Sequence, residues 1–272
     1  MTEGYLFFKY LGLWLFPNTA WMAIDIYYPF VTKLLSFPES LGCLAFIGYP
    51  ILAFNFLRHR GELGLLGLAM LCPWLLFFTE FAVIRVQESF VLYRSYLWMP
   101  GIFLALPWLF RKLSAKLANT VLLCCALVLV PLTWNRLNTF SDSILVWDDA
   151  AKLLMDQNLQ NLPGVERVFY NRGVFLNKAH RESEAIVDFT KTIALAKDQG
   201  YLAVNAYFNR GRIYFEQEQY QLAEQDFSKV IALEPSNSNA YILKGQALEK
   251  LNQSGAAEST FKENFLRNLP FK

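Results

Sequence analysis

"YNRGVFLNKAHRESEAIVDFTKTIAL", "FNRGRIYFEQEQYQLAEQDFSKVIALEP" and "ILKGQALEKLNQSGAAESTFKENF" are one pattern written three times between Tyr170 and Phe265. Gly173, Gly211 and Gly245 align, as do Ala185, Ala223 and Ala257, and Phe189, Phe227 and Phe261. The second and third copies are offset by 34 residues and the first pair by 38, the extra residues falling in "AKDQGY". Copies of this length predict two antiparallel helices each. The glycine and the alanine sit where the two helices cross, because a larger side chain there holds them apart. The phenylalanine fills the gap towards the next copy, and Pro235 ends a second helix because it cannot continue the hydrogen-bond ladder. Such a pair cannot bury its own apolar face, and about three copies are the fewest that stack stably. Residues 166–272 are thereby confined to an α-solenoid, with repeats at 166–199, 204–237 and 238–271.

The 34-residue period is that of the tetratricopeptide repeat, in which the first helices line a concave groove. Side chains at the second, fifth, sixth, ninth and twelfth repeat positions reach a bound peptide. The candidates are Tyr170, Asn171 and Asn177 in the first repeat and Phe208, Asn209 and Arg212 in the second. An asparagine can bond both the N–H and the C=O of an extended backbone, so the matched Asn171 and Asn209 suit a peptide groove. The predicted partner is a protein or peptide. A plain spacer or docking role is the alternative.

The part before the repeats has a different composition. The chain is 54% hydrophobic and 18% charged, against roughly 45–50% and about 25% for soluble domains. All 7 Trp lie at or before Trp147, and only 7 of the 23 acidic residues precede residue 144. An apolar module is joined to a polar one. Apolar runs at 5–16, 40–57, 63–78, 95–110 and 117–134 predict about five membrane spans. The first is short and contains Lys9, which also suits an interfacial helix. The expected architecture is all-α: a transmembrane bundle over 1–136, a linker and packing helix over 137–165 ("ILVWDDAAKLLMDQ"), and the solenoid over 166–272.

Two short basic loops set the orientation: Arg58, His59 and Arg60, then Arg111, Lys112 and Lys116. By the positive-inside rule both are cytoplasmic, which puts the N-terminus inside and the 80–93 loop and the repeats outside. His59, with no partner histidine, reads as part of a topogenic charge cluster. Cys43, Cys72, Cys124 and Cys125 all fall in apolar runs without zinc or redox spacing, so no metal is expected. The N-terminus has no basic region or small-residue cleavage site of a signal peptide. A net charge of +2 without a basic block gives no sign of nucleic-acid binding.

Three stretches carry a family resemblance: "YLGLWLFPNTAWMAIDIYYP", "YRSYLWMP" and "NTFSDSILVWDDAAKLL". Together they resemble the bacterial branch of the transmembrane and tetratricopeptide repeat-containing O-mannosyltransferases of the GT-C superfamily, in its C-terminal half. Arg94 and Tyr96 match the Arg and Tyr of the family's Glu-His-Arg-Leu-Tyr-Leu-Pro, while Leu92 and Tyr93 replace its Glu and His. The resemblance implies a polyprenyl-phosphate sugar donor, with Tyr93, Arg94 and Tyr96 at its phosphate. As an alternative, Arg94 is an interfacial anchor. The family's first outer loop with its acidic pair has no counterpart, since no two acidic residues adjoin before Asp148 and Asp149. No catalytic residue is assigned, and no cofactor is expected. The chain is not expected to act as an enzyme without a separate chain carrying the missing half. The expectation is a bacterial inner-membrane protein with periplasmic repeats, either part of such a glycosyltransferase or a non-enzymatic scaffold of the cell envelope.

Overall fold

The computed structural model describes residues 1–16, 31, 36–82, 99–156, 164–197 and 199–267. Every regular element among them is helical. The chain divides into two units, Met1–Gln157 and Asn158–Lys272.

In the first unit α1 (Thr2–Leu15), α2 (Glu39–Leu57) and α3 (Glu62–Ala82) pack through small residues. A methyl group on Gly42 would stand 2.7 Å from the Tyr5 Cα, and one on Gly4 3.1 Å from the Cys43 Cα. Glycine is required where backbones approach this closely. Phe7 is fully buried and meets Phe46, Tyr49 and Phe77 edge-on at 5.1–5.3 Å. The Trp74 Nε1 donates to the Phe46 carbonyl at 3.0 Å, giving the indole the partner that a buried N–H needs. Outward, α2 presents Leu44, Ile47, Ile51 and Phe54, each at least half exposed. An aromatic cluster lies inside, and α2 turns a largely aliphatic face outward.

The expected spans fare differently. Two helices among the described residues are long and apolar enough to cross a membrane, α2 and α5 (Ala115–Ser141), with mean hydropathies of 1.7 and 2.0 over their best windows. Helix α5 begins where Ser114 accepts the Leu117 N–H. It runs seven residues past Trp134 because neither Gly nor Pro interrupts the sequence there. None of its residues is buried. The expected span at 5–16 is the 14-residue α1, and that at 63–78 is the apolar part of α3. The segment expected at 95–110 starts outside the described residues. From Met99 it forms a 3-10 helix (Met99–Ala105) and then the short α4 (Leu106–Phe110). Pro100 stands in the first turn of the 3-10 helix and Pro107 in the first turn of α4, where a missing N–H leaves no bond unmade. Helix α6 (Ser143–Asp156) follows α5, and the Arg136 Nη2 reaches the Asp149 carboxylate at 2.6 Å.

The second unit is three helical hairpins: α7 (Glu166–Lys178) with α8 (Glu182–Leu195), α9 (Gly200–Glu216) with α10 (Tyr220–Leu233), and α11 (Ser238–Lys250) with α12 (Ser254–Arg267). Gly173 and Gly211 lie at the crossings, where a methyl would come within 3.0–3.1 Å of the Phe189 and Phe227 rings. At Gly245 the Phe261 ring fills that space outright. Ala185, Ala223 and Ala257 are buried at the other side of each crossing. The first helices end alike: His180, Glu218 and Asn252 take left-handed φ of 57°, 61° and 58°. Each time the next N–H closes back on a carbonyl five residues earlier, as in Gln219 to Tyr214 at 2.8 Å. These are Schellman turns, and they satisfy carbonyls that a helix end otherwise leaves open.

Candidate peptide groove

Residues 171, 174 and 177 lie about one helical turn apart on α7 with 170 beside the first of them, and 208, 209, 212 and 215 repeat the stripe on α9. Tyr170, Asn171, Asn177, Phe208 and Asn209 are half-buried and Arg212 is exposed. The structure brings Tyr170 and Asn209 together across two repeats: the Asn209 Nδ2 donates to the Tyr170 hydroxyl at 3.3 Å. One amide N–H of Asn209 is therefore used inside the protein, leaving its carbonyl and second N–H for a ligand. The sequence treats the two asparagines as equivalent. The structure separates them, since Asn171 and Asn177 make no side-chain hydrogen bond among the described residues. Burial pushes the Tyr170 phenol above its ordinary value, so the hydroxyl stays neutral and can donate onward.

Behind the stripe, Tyr170 rests on Phe189 and Phe208 on Phe227, with ring centroids 6.0 Å apart in both cases. Because Phe189 and Phe227 are fully buried, the two outer rings have a rigid floor. Arg212 pairs with Glu216 at 3.4 Å, both side chains being about half exposed; such a pair contributes little to stability, and the guanidinium can readily exchange partners. The third repeat departs from the stripe, with Ile242 and Leu243 at the positions of Phe208 and Asn209. The matched Tyr/Phe-Asn pair of the first two repeats is replaced by two aliphatic residues in the third.

A second constellation lies between the paired helices. Arg172 grips Asp188 through two bonds of 2.7 and 2.6 Å, and Arg210 grips Asp226 through bonds of 2.9 and 2.7 Å. Asp188 is 1% exposed and Asp226 4%. Burial pushes the Asp226 carboxyl up while the bonds from Arg210 pull it down. The sequence reading overlooked these pairs, although the recurrent "NRG" and "DF" of the first two repeats signal them. They brace the helices that carry the stripe. Tyr93, Arg94 and Tyr96 lie outside the described residues. No group of three or more metal-ligating side chains occurs among the described residues.

The tetratricopeptide repeat family model matches residues 204–237, the second hairpin. The human "DnaJ homolog subfamily C member 7" is 32% identical over 89 residues, which are 33% of this chain and 17% of that protein. The human "Mitochondrial import receptor subunit TOM70" is 34% identical over 76 residues, 28% of this chain and 12% of that protein. This chain thus spans under a fifth of the length of these relatives. Among solved structures, a crystal structure of MamA protein is similar over 48% of this chain and 76% of its own, at 20% identity and a TM-score of 0.36. The chain carries tetratricopeptide repeats.

Proposed function

We propose that this tetratricopeptide-repeat protein is anchored in a membrane by its N-terminal helices and binds an extended segment of a partner polypeptide along the α7 and α9 stripe. The observation that carries the anchor is α5: 27 residues, strongly apolar, and without one buried side chain. The apolar helix of a soluble core is covered by protein; this one has Leu123, Leu127, Val128 and Val130 each at least 60% exposed. Hydrocarbon is the solvent that accepts such a surface. The outward aliphatic faces of α2 and α3 and the glycine-lined crossings between α1 and α2 fit the same surroundings. The basic turns at 58–60 and 111–116 favour a cytoplasmic position for both, with the repeats on the opposite side.

The binding role rests on Asn171, Asn177, Asn209 and Arg212, polar groups on the same stripe as Tyr170 and Phe208, whose rings are backed by the buried Phe189 and Phe227. One matched relative is by name an import receptor subunit, which agrees with a binding role. The finer reading, a lipid-phosphate contact at Tyr93, Arg94 and Tyr96 within a split glycosyltransferase completed by a separate chain, derives from the sequence resemblance; the non-enzymatic envelope scaffold is its alternative.

Two measurements test the proposal. The chain stays with the bilayer through alkaline carbonate and high-salt washes; release into the supernatant refutes the anchor. Extended peptides selected against the detergent-purified chain lose affinity roughly tenfold in the Asn171→Ala, Asn209→Ala double variant, from the loss of about two backbone hydrogen bonds. Unchanged affinity moves the ligand off this stripe.

A further inference from the structure

The solenoid's own junctions show what covers a second helix. Helix α9 covers α8: Arg210 donates to Thr190 at 2.8 Å, Gln217 donates to Glu182 at 2.8 Å, and Ile193 is left 7% exposed. Helix α11 covers α10 in the same way, with Lys244 against Glu224 at 3.3 Å and Val230 fully buried. One repeat further, the equivalents of Glu224, Thr190 and Ile193 are Glu258, Lys262 and Phe265 on α12. Phe265 is 66% exposed and Leu266 49%. Glu258 and Lys262 make no ion pair or side-chain hydrogen bond among the described residues, although they lie one turn apart.

Gly255, Glu258, Lys262 and Phe265 follow a spacing of three, four and three residues, the seam of a helix that packs lengthwise against another helix. All four are exposed. A seam with opposite charges in the middle, an aromatic at one end and a bare glycine at the other is self-complementary when turned end for end. Antiparallel pairing about the level of residue 260 sets Glu258 opposite Lys262 of a second copy, and Lys262 opposite its Glu258. The same register lays Phe265 over Gly255 of the second copy, where nothing lies within 4 Å of the place a Cβ would occupy.

We propose that α12 is a self-association face on which two copies of this chain pair antiparallel, joined by reciprocal Glu258–Lys262 contacts and by Phe265 seated on Gly255. A two-fold contact of this kind is closed and stops at two. It uses a second helix of the solenoid and leaves the α7 and α9 stripe free, so it stands independently of the peptide-binding reading.

The test is the mass of the full chain in detergent, measured by sedimentation over a range of concentrations, for the wild type and four variants. The wild type dimerises. Glu258→Lys and Lys262→Glu each convert two attractive contacts into two repulsive ones and raise the dissociation constant about tenfold. The variant carrying both exchanges restores the wild-type value, and Phe265→Asp abolishes the dimer. Circular dichroism keeps the same helicity throughout, because all the altered positions are exposed. A wild type that remains monomeric overturns the proposal. So does a dimer indifferent to the single exchanges, which places the contact elsewhere, and so does a double exchange that fails to restore association.

Discussion

The Arg210–Asp226 pair is buried between α9 and α10, and stranding either partner gives a sharp prediction. The Asp226 side chain is 6% exposed and that of Arg210 16%. Asp226→Ala leaves a guanidinium desolvated, with Thr190 at 2.8 Å and the Tyr207 and Tyr214 rings as its remaining neighbours. Stranding one member of a buried pair costs about 3–5 kcal/mol. The partial exposure of Arg210 and its bond to Thr190 put the expected value at the low end, about 3 kcal/mol. In a fragment of this size 1 kcal/mol corresponds to roughly 3–5 °C, so the Tm falls by about 9–15 °C. Arg210→Met alone costs a similar amount, because Asp226 is then the unpaired charge. Removing both should return the protein to within about 1 kcal/mol of wild type, since apolar replacements of a buried pair are often neutral. The assay is a double-mutant cycle by urea unfolding of residues 141–272, which are expected to fold without the membrane part. A coupling energy below about 1 kcal/mol, or a double variant as unstable as the sum of the singles, would falsify the bracing role of the pair.

Glu218 holds a φ of 61° at the end of α9, where a side chain costs about 1–2 kcal/mol and glycine nothing. Allowing for glycine's extra entropy loss, Glu218→Gly should raise stability in the same urea melts by about 0.5–1 kcal/mol; a loss would mean the glutamate supports the turn. If Arg94 holds a lipid phosphate, titrating the purified chain with a polyprenyl phosphate should show Arg94→Ala losing about one to two orders of magnitude in affinity. Arg94→Lys should lose a substantial part of that, because an ammonium lacks the planar fork; equal binding by all three proteins makes Arg94 an anchor. A reporter fused after Lys272 should be active only outside the cytoplasm and one at His59 only inside, and reversed signals would put the repeats and Arg94 in the cytosol.

How much the sequence revealed depended on whether a feature was repeated. Gly173, Gly211 and Gly245 marked the crossings because the same packing problem recurs in each hairpin. Their spacing therefore specified helix pairs and their order before any contact was known. Apolar runs carried less. The five candidate spans were drawn from hydropathy, which does not distinguish one type of helix from another, and a 3-10 helix stands where one α-helix was expected over part of 95–110. In the groove, residue types were legible but pairings were not. Tyr170 and Asn209 are 39 residues apart, and their bond depends on how far one hairpin is rotated on the next, which no single repeat encodes.

The departures from the repeat are as informative as the repeat. Positions 172 and 210 are Arg and 188 and 226 are Asp, whereas the third repeat has Lys244 and Thr260. The Thr260 hydroxyl donates to the Ala256 carbonyl of its own helix at 2.9 Å, so it offers Lys244 no anionic partner. Lys244 turns instead to Glu224 in the preceding repeat, and Ser228 donates to the same carboxylate at 2.7 Å. The strong polar contact has moved from within a repeat to between two repeats. A buried carboxylate gains from a brace only where the helices around it exclude water, as they do around Asp188 and Asp226. Helix α12 has only Ala257 and Thr260 buried, and a half-exposed Lys–Glu contact at the junction serves better there. The same openness of α12 that makes an internal brace unprofitable leaves Glu258, Lys262 and Phe265 available to a second copy.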